Sequence, residues 1–172
     1  LLLRRGDAAR ARGLEAELLA SDTEDLNELE EARVGLGLLE RFEAQLAILD
    51  RMDRLAPGHP VILANRGAVA LELGDVDAAE RDLQLALQLA PESGPALTNL
   101  ALLRMQEGAH AVARGLLEQA KLLHPEETQI RCYLATCLAE LGQEDAARRE
   151  ARAAVDADPE HGPSRELLAR LS

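Results

Sequence analysis

Aromatic residues are almost missing from this sequence. Its 172 residues include one Phe, one Tyr and no Trp, so a core of any size has to be built from aliphatic side chains. Hydrophobic residues make up 47% of the chain and are rich in Leu and Ala, and helix formers such as Glu, Arg and Gln fill much of the remainder. The composition predicts an all-α protein.

Basic residues are scarce relative to acidic ones. The sequence has 19 Lys and Arg residues against 31 Asp and Glu residues, which gives a formal net charge of -12. Such a charge repels polyanions, and no basic stripe offsets it, so nucleic acid is not an expected partner. Lys121 is the single lysine among many arginines, a bias that favours a GC-rich, bacterial coding sequence.

Long apolar runs are absent as well. No segment reaches the roughly 18 apolar residues of a membrane-spanning helix, and the opening "LLLRR" lacks the charged-then-apolar order of a signal peptide. We therefore expect a soluble chain with no membrane insertion, with the cytoplasm favoured over the periplasm. The chain starts with Leu1 rather than Met, which favours a processed or excised fragment.

Cysteines number two, Cys132 and Cys137. A separation of five residues places them on different faces of a helix rather than in the geometry of a disulfide. We interpret both as reduced, small apolar residues.

The sequence repeats itself at a shift of 34 residues. Glycine, two alanines and a proline keep register three times, and a further small residue aligns with them: Gly74, Gly108 and Gly142; Ala79, Ala113 and Ala147; Ala86, Ala120 and Ala154; Pro91, Pro125 and Pro159; and Gly67, Ala101 and Ala135. Three units follow from this register, at 60–93, 94–127 and 128–161.

Each repeated residue has a physical role if a unit consists of two antiparallel helices. The glycine ends the first helix in a left-handed conformation, and Asp75 can cap the second. Small residues such as Gly67 and Ala79 let the two helices approach closely, and Ala86 does the same for the next unit. The proline ends the second helix and releases the chain into the next unit.

These residues resemble the tetratricopeptide repeat family, whose 34-residue pattern has small residues at positions 8, 20 and 27 and proline at 32. The resemblance implies a right-handed α-solenoid of antiparallel helix pairs, here of bacterial type. The aromatic positions of the pattern are departures, because aliphatic, small or basic residues occupy them. Arg66 stands where the family usually has Leu; we expect Arg66 and Arg104 to extend to the rim, with a ligand-binding role as the alternative.

The repeat register extends to both ends of the chain. A degenerate unit at 26–59 has Gln45 and Met52 in place of two signature alanines, and Gly6 and Ala11 predict a partial repeat at 1–25. Residues 162–172 form either a capping helix or a truncated first helix.

Catalytic and metal-binding patterns are missing. The sequence has no Gly-x-Ser-x-Gly, no phosphate loop and no His-Glu-x-x-His, so neither an enzyme nor a cofactor is expected. His59, His124 and His161 fall in turns between repeats, and we interpret them as solvated turn residues rather than metal ligands.

A concave surface is the candidate binding site. The resemblance implies that positions 2, 5, 6, 9, 12 and 13 of each first helix face it, and the predicted groove residues are Asn65, Ala68, Thr98, Asn99, Leu102, Gln129, Cys132, Tyr133 and Thr136. Asn65 and Asn99 lie one repeat apart, and their amides can grip the backbone of an extended peptide or a helix. Ordinary polar lining is the alternative. A clamp for a C-terminal carboxylate is not predicted, because Asn99 alone matches it.

Three functions compete for this architecture. The leading prediction is a non-catalytic scaffold for protein–protein interaction, as in bacterial pilus or secretion assembly. The second is an accessory arm of a larger sulfotransferase or glycosyltransferase. The third, an RNA-reading array of helical hairpins, conflicts with the negative charge of all three well-matched units.

Overall fold

The computed structural model describes residues 16, 19–20 and 23–171. Within the continuous part, nine α-helices follow one another, connected by short turns. Their bounds are α1 Leu26–Leu38, α2 Phe42–Leu55, α3 Pro60–Glu72, α4 Val76–Leu89, α5 Gly94–Gln106, α6 His110–Leu123, α7 Thr128–Glu140, α8 Glu144–Ala157 and α9 Gly162–Leu171. The prediction for Gly6 and Ala11 lies outside the described residues.

The helices stack as a solenoid of pairs. Each helix packs against its neighbours in the chain, and α3, α5, α7 and α9 also contact one another in series. This second set of contacts places the first helices of successive pairs side by side along one face. The fold is therefore an all-α helical repeat solenoid, as predicted, and α3, α5, α7 and α9 supply a continuous inner surface.

The turn inside each pair depends on a left-handed residue. Gly74, Gly108 and Gly142 have φ values of 76°, 76° and 72°. After Gly74, the backbone N–H of Asp75 donates to the carbonyl of Ala70 at 2.9 Å, which closes the hydrogen-bonded ring typical of a helix that ends in glycine. The side chain of Asp75 then accepts a hydrogen bond from the backbone N–H of Ala78 at 3.0 Å, so its predicted capping role is confirmed.

The same turn in the first pair is made without glycine. Glu40 occupies the equivalent position with φ 55°, and the N–H of Arg41 donates to the carbonyl of Leu36 at 3.0 Å. The hydrogen bonding is that of the later turns, but a side chain is held in a conformation that disfavours one.

Small residues set the distance between the two helices of a pair. A Cβ added to Gly67 would lie 2.7 Å from Cγ of Leu83 and 3.2 Å from the carbonyl oxygen of Ala79. Ala79 is fully buried, so neither helix can move outward without opening the core. The predicted close approach is confirmed.

The core is aliphatic and continues from one pair to the next. Ala86 of α4 is fully buried and packs with Leu83 and with Ala96, Leu100 and Leu103 of α5. In the first pair the close contact lies elsewhere: a Cβ on Gly37 would come within 2.9 Å of the buried Gln45 amide. A larger residue at the alanine position is thus accommodated by a glycine on the facing helix.

Candidate functional site

A groove of about 650 Å³ runs across the first helices on the inner face of the solenoid. Helices α3, α5 and α7 contribute most of its wall, and the start of α2 and α6 closes one side. We call this space the concave groove, and its lining residues are Arg33, Gly37, Phe42, Gln45, Asn65, Ala68, Val69, Leu71, Glu72, Asn99, Leu102, Met105, Gln106, His110, Thr136 and Glu140.

Asn65 and Asn99 bring two amide groups into the concave groove. Both side chains are half-buried, and within residues 23–171 neither amide has a side-chain hydrogen bond to another residue. Each amide offers two N–H donors and a carbonyl acceptor. Because they occupy the same position of adjacent first helices, the two amides can bind consecutive parts of one extended ligand.

The charged side chains of the concave groove differ in whether they have an ion-pair partner. The guanidinium of Arg33 is bound to Glu30 through two hydrogen bonds of 2.7 and 2.5 Å. Glu72 and Glu140 are exposed, and in the part of the chain that the structure describes neither carboxylate has an ion-pair partner. The groove therefore presents two carboxylates to solvent while its arginine is neutralised.

A second depression of about 490 Å³ continues the concave groove toward α9. Met105 and Thr136 line both spaces, and Gln129, Cys132 and Tyr133 line the second one. Thr136 is itself constrained, because its hydroxyl donates to the carbonyl of Cys132 at 3.0 Å. The inner face thus offers one continuous surface from α1 to α9.

Tyr133 links the two depressions electrostatically. Burial raises the pKa of Tyr133; a hydrogen bond with Gln129 lowers it in part, and the charges of Cys132 and Glu72 add to the rise. Glu72 lies on α3 and Tyr133 on α7, so the charge of the carboxylate acts on a phenol two repeats away.

Eight of the nine predicted groove residues line one of these two spaces. Asn65, Ala68, Asn99, Leu102 and Thr136 line the concave groove, and Gln129, Cys132 and Tyr133 line its continuation. Thr98 is half-buried and lines neither. Whether any of them binds a ligand stays a prediction.

Some lining residues were missed from the sequence. Glu72, Met105, Gln106 and Glu140 hold positions 12 and 13 of their units, which the repeat pattern already assigns to the inner face. Phe42, Gln45 and His110, by contrast, belong to second helices, and the pattern carries no signal that would place them there.

Arg66 and Arg104 do not take the ligand-binding role that the sequence left open as the alternative. Arg66 donates to both carboxylate oxygens of Asp82 at 2.6 and 2.9 Å and to Asp53 at 3.0 Å, and the bonds with Asp82 raise its pKa further above the ordinary range. Arg104 is held in the same way by Glu80 and Glu107. Both guanidiniums are committed to joining helices, so neither is a free cation for a ligand.

The interpretation of the histidines was correct for His59, which is exposed, and wrong for two others. One ring nitrogen of His161 lies 2.6 Å from Oγ of the buried Ser164 and the other lies 2.8 Å from Oε1 of Gln129, which ties α9 to α7. The ring of His124 covers Gly94, where an added Cβ would lie 2.2 Å from Cδ2.

The described residues include no cluster of three or more His, Cys, Asp or Glu side chains arranged to hold a metal ion. Cys132 and Cys137 are buried and unpaired with each other, as predicted. Burial raises the pKa of Cys137 to about 11, so its thiol is protonated and unreactive near neutral pH. Across the same described residues, no helix is both long and apolar enough to span a membrane.

Comparison with known proteins gives a consistent assignment. Two tetratricopeptide repeat models match the chain, one at residues 61–93 and the other at 104–171. Mouse tetratricopeptide repeat protein 8 is 31% identical over 107 residues, which is 62% of this chain and 21% of that protein. The chain thus spans about a fifth of the length of this relative and of its human counterpart.

Solved structures show the same fold. An O-GlcNAc transferase mutant from Thermobaculum terrenum superimposes with a TM-score of 0.62 and 28% identity, covering 65% of this chain and 22% of the transferase. YrrB, a TPR protein with an unusual peptide-binding site, superimposes with a TM-score of 0.65 and 20% identity over 91% of this chain and 81% of its own. From the matching repeat models, the helix pairs and the glycine turns, the chain belongs to the tetratricopeptide repeat family.

Proposed function

We propose that this chain is a non-catalytic scaffold that binds a peptide or helix of a partner protein in the concave groove. The observation that carries the proposal is the pair of amides at Asn65 and Asn99, which share one repeat position, face the groove and lack side-chain partners among the described residues. Peptide binding by YrrB, a structural neighbour, supports the same use of the fold.

The side chains that line the concave groove support a role in binding a peptide. The lining combines amides, aliphatic side chains and carboxylates, a set suited to hydrogen bonding with a peptide backbone and to covering its apolar side chains. We propose the three units at 60–93, 94–127 and 128–161 as the binding array. Assembly of a bacterial pilus or secretion apparatus is the biological setting that we infer for it.

A second candidate is the accessory arm of a larger glycosyltransferase or sulfotransferase. The 28% identity to the O-GlcNAc transferase, of which the matched region is 22%, favours this alternative. In both cases the helical array itself binds protein rather than performing catalysis.

The test is selection of a displayed library of random 12-residue peptides on the immobilised chain. The wild type should retain a defined set of peptides, and Asn65→Ala/Asn99→Ala should bind them at least about tenfold more weakly, since each lost hydrogen bond to a desolvated group costs roughly 1 kcal/mol. Gln84→Ala/Gln88→Ala removes two amides from the exposed side of α4 and serves as the matched control. Equal binding by all three proteins, or no selected peptide, would refute the proposal; circular dichroism verifies that each variant is folded.

A further inference from the structure

We propose that the partner segment is cationic and extended, with two basic side chains up to about six residues apart that pair with Glu72 and Glu140. This inference rests on the proposed function, because it assigns the chemistry of the ligand that the concave groove takes. Its basis is the arrangement of uncompensated charge along the inner face.

Two polar rows run across the first helices. Asn65, Asn99 and Tyr133 share one repeat position, and Glu72, Gln106 and Glu140 share another that lies seven residues later. Seven residues are almost two full turns, so both rows lie on the same face of their helices, separated by about 10 Å along each axis. A peptide that crosses the helices can therefore contact the first row with its backbone and the second with its side chains.

The second row is negative and has no internal counterion. Glu72 and Glu140 are exposed, and neither has an ion pair within residues 23–171, whereas Arg33 in the same groove is bound to Glu30 at 2.5 Å. The field of the Glu72 carboxylate also extends along the groove, since it contributes to the raised pKa of Tyr133. A neutral ligand would leave both carboxylates unpaired, and an acidic ligand would be repelled by them. A basic ligand forms an ion pair with each carboxylate.

The chain as a whole reinforces this preference. Its net charge of -12 attracts cationic segments at long range and repels acidic ones. In the continuation of the groove, Glu166 and Arg170 contribute one charge of each sign, so they do not reverse the preference set by Glu72 and Glu140.

The spacing of the two carboxylates sets the spacing of the basic side chains. Adjacent packed helices lie about 8–10 Å apart, so Glu72 and Glu140, two first helices apart on a concave face, lie at most on the order of 20 Å from each other. An extended chain advances about 3.3 Å per residue, so this upper limit corresponds to about six residues. Residues an even number of positions apart in a strand point to the same side, so at such a spacing both basic side chains can face the second row.

The experiment starts from the peptides selected by the wild-type chain. They should be enriched in Lys and Arg. The strongest binder, labelled with fluorescein and followed by anisotropy, should bind Glu72→Gln/Glu140→Gln about four- to twenty-five-fold more weakly, about two- to fivefold for each carboxylate. Glu126→Gln/Glu160→Gln removes the same charge from two exposed turn positions and should change the affinity by less than about twofold. Raising NaCl from 0.05 to 0.5 M should weaken binding to the wild type and reduce the difference between the variants.

The outcomes separate the two proposals. Selected peptides that are neutral or acidic, or an affinity unchanged in Glu72→Gln/Glu140→Gln, would overturn the inference while sensitivity to Asn65→Ala/Asn99→Ala still supported the groove. An equal loss in both charge variants would also overturn it, because the effect would then be one of net charge. Moving the second basic residue by one position should weaken binding, and undiminished affinity would overturn the two-carboxylate geometry. Selection of no peptide overturns both proposals.

Discussion

Replacing Glu40 by glycine should stabilise the protein. Glu40 holds the turn position that glycine holds in the next three pairs, and its φ of 55° is left-handed. Its side chain is exposed, and no hydrogen bond or ion pair joins it to another residue of the described chain. The substitution therefore removes a strained conformation without removing a contact.

The magnitude follows from two opposing contributions to the free energy of unfolding. The left-handed conformation costs a residue with a Cβ about 1–2 kcal/mol, and glycine removes this cost. Glycine also increases the conformational freedom of the unfolded chain, which takes back roughly 0.4–1 kcal/mol. The net gain is about 0.5–1 kcal/mol, equivalent for a chain of this size to a rise of about 1–4 °C in Tm.

Urea unfolding followed by circular dichroism at 222 nm measures the change, and hydrogen exchange of α1 and α2 locates it. The reverse substitution at the equivalent turn, Gly74→Glu, should destabilise the chain by a similar amount, since φ there is 76°. If Glu40→Gly lowered stability while Gly74→Glu left it unchanged, the left-handed turn would not be the source of strain and the reasoning would be refuted.

Three further perturbations probe packing and burial. Ala113→Phe should overpack the fully buried contact between α5 and α6 and cost about 1–3 kcal/mol in urea unfolding; an unchanged melt would contradict the repeat alignment. Gly94→Ala should lower Tm because its Cβ meets the ring of His124. His124→Ala removes that ring, so the double variant should lose less Tm than the sum of the two single variants. Additive losses would exclude a clash between the two side chains. The pKa of Cys137 is raised by burial to about 11, above its ordinary value near 8.5. The protonated thiol therefore stabilises the fold fully below about pH 8.5, and this stability is lost as pH rises through 11. The free energy of unfolding of the wild type should fall more between pH 8 and 11 than that of Cys137→Ala. Parallel pH profiles of the two proteins would refute this prediction.

Much of the fold could be predicted from local signals. Gly74, Asp75 and Gly67 act through backbone conformation, capping and close approach, each of which depends on the residue type and its place in the 34-residue register. The first pair follows these local signals less closely, because Glu40 takes the glycine conformation and Gln45 packs against Gly37. The 34-residue register predicts where this turn lies, but it does not predict the packing of Gln45 against Gly37.

The candidate site could be predicted only in part. The repeat position assigned Asn65 and Asn99 to the inner face, since all first helices present the same face to the same side. It could not include Phe42 or His110, which reach the groove from the start of second helices. Their placement depends on the angle between the helices of a pair rather than on the position in the repeat.

The sequence by itself determined the helix pairs, their turns and the row of inward-facing residues, because those features depend on spacing and on the steric needs of single residues. Tertiary structure alone decided which charges are available to a ligand. The sequence left a ligand-binding role open for Arg66 and Arg104, yet carboxylates brought in from neighbouring helices neutralise them. Glu72 and Glu140 are left without such partners among the described residues, because charge pairing depends on distances in space that separations along the chain do not specify.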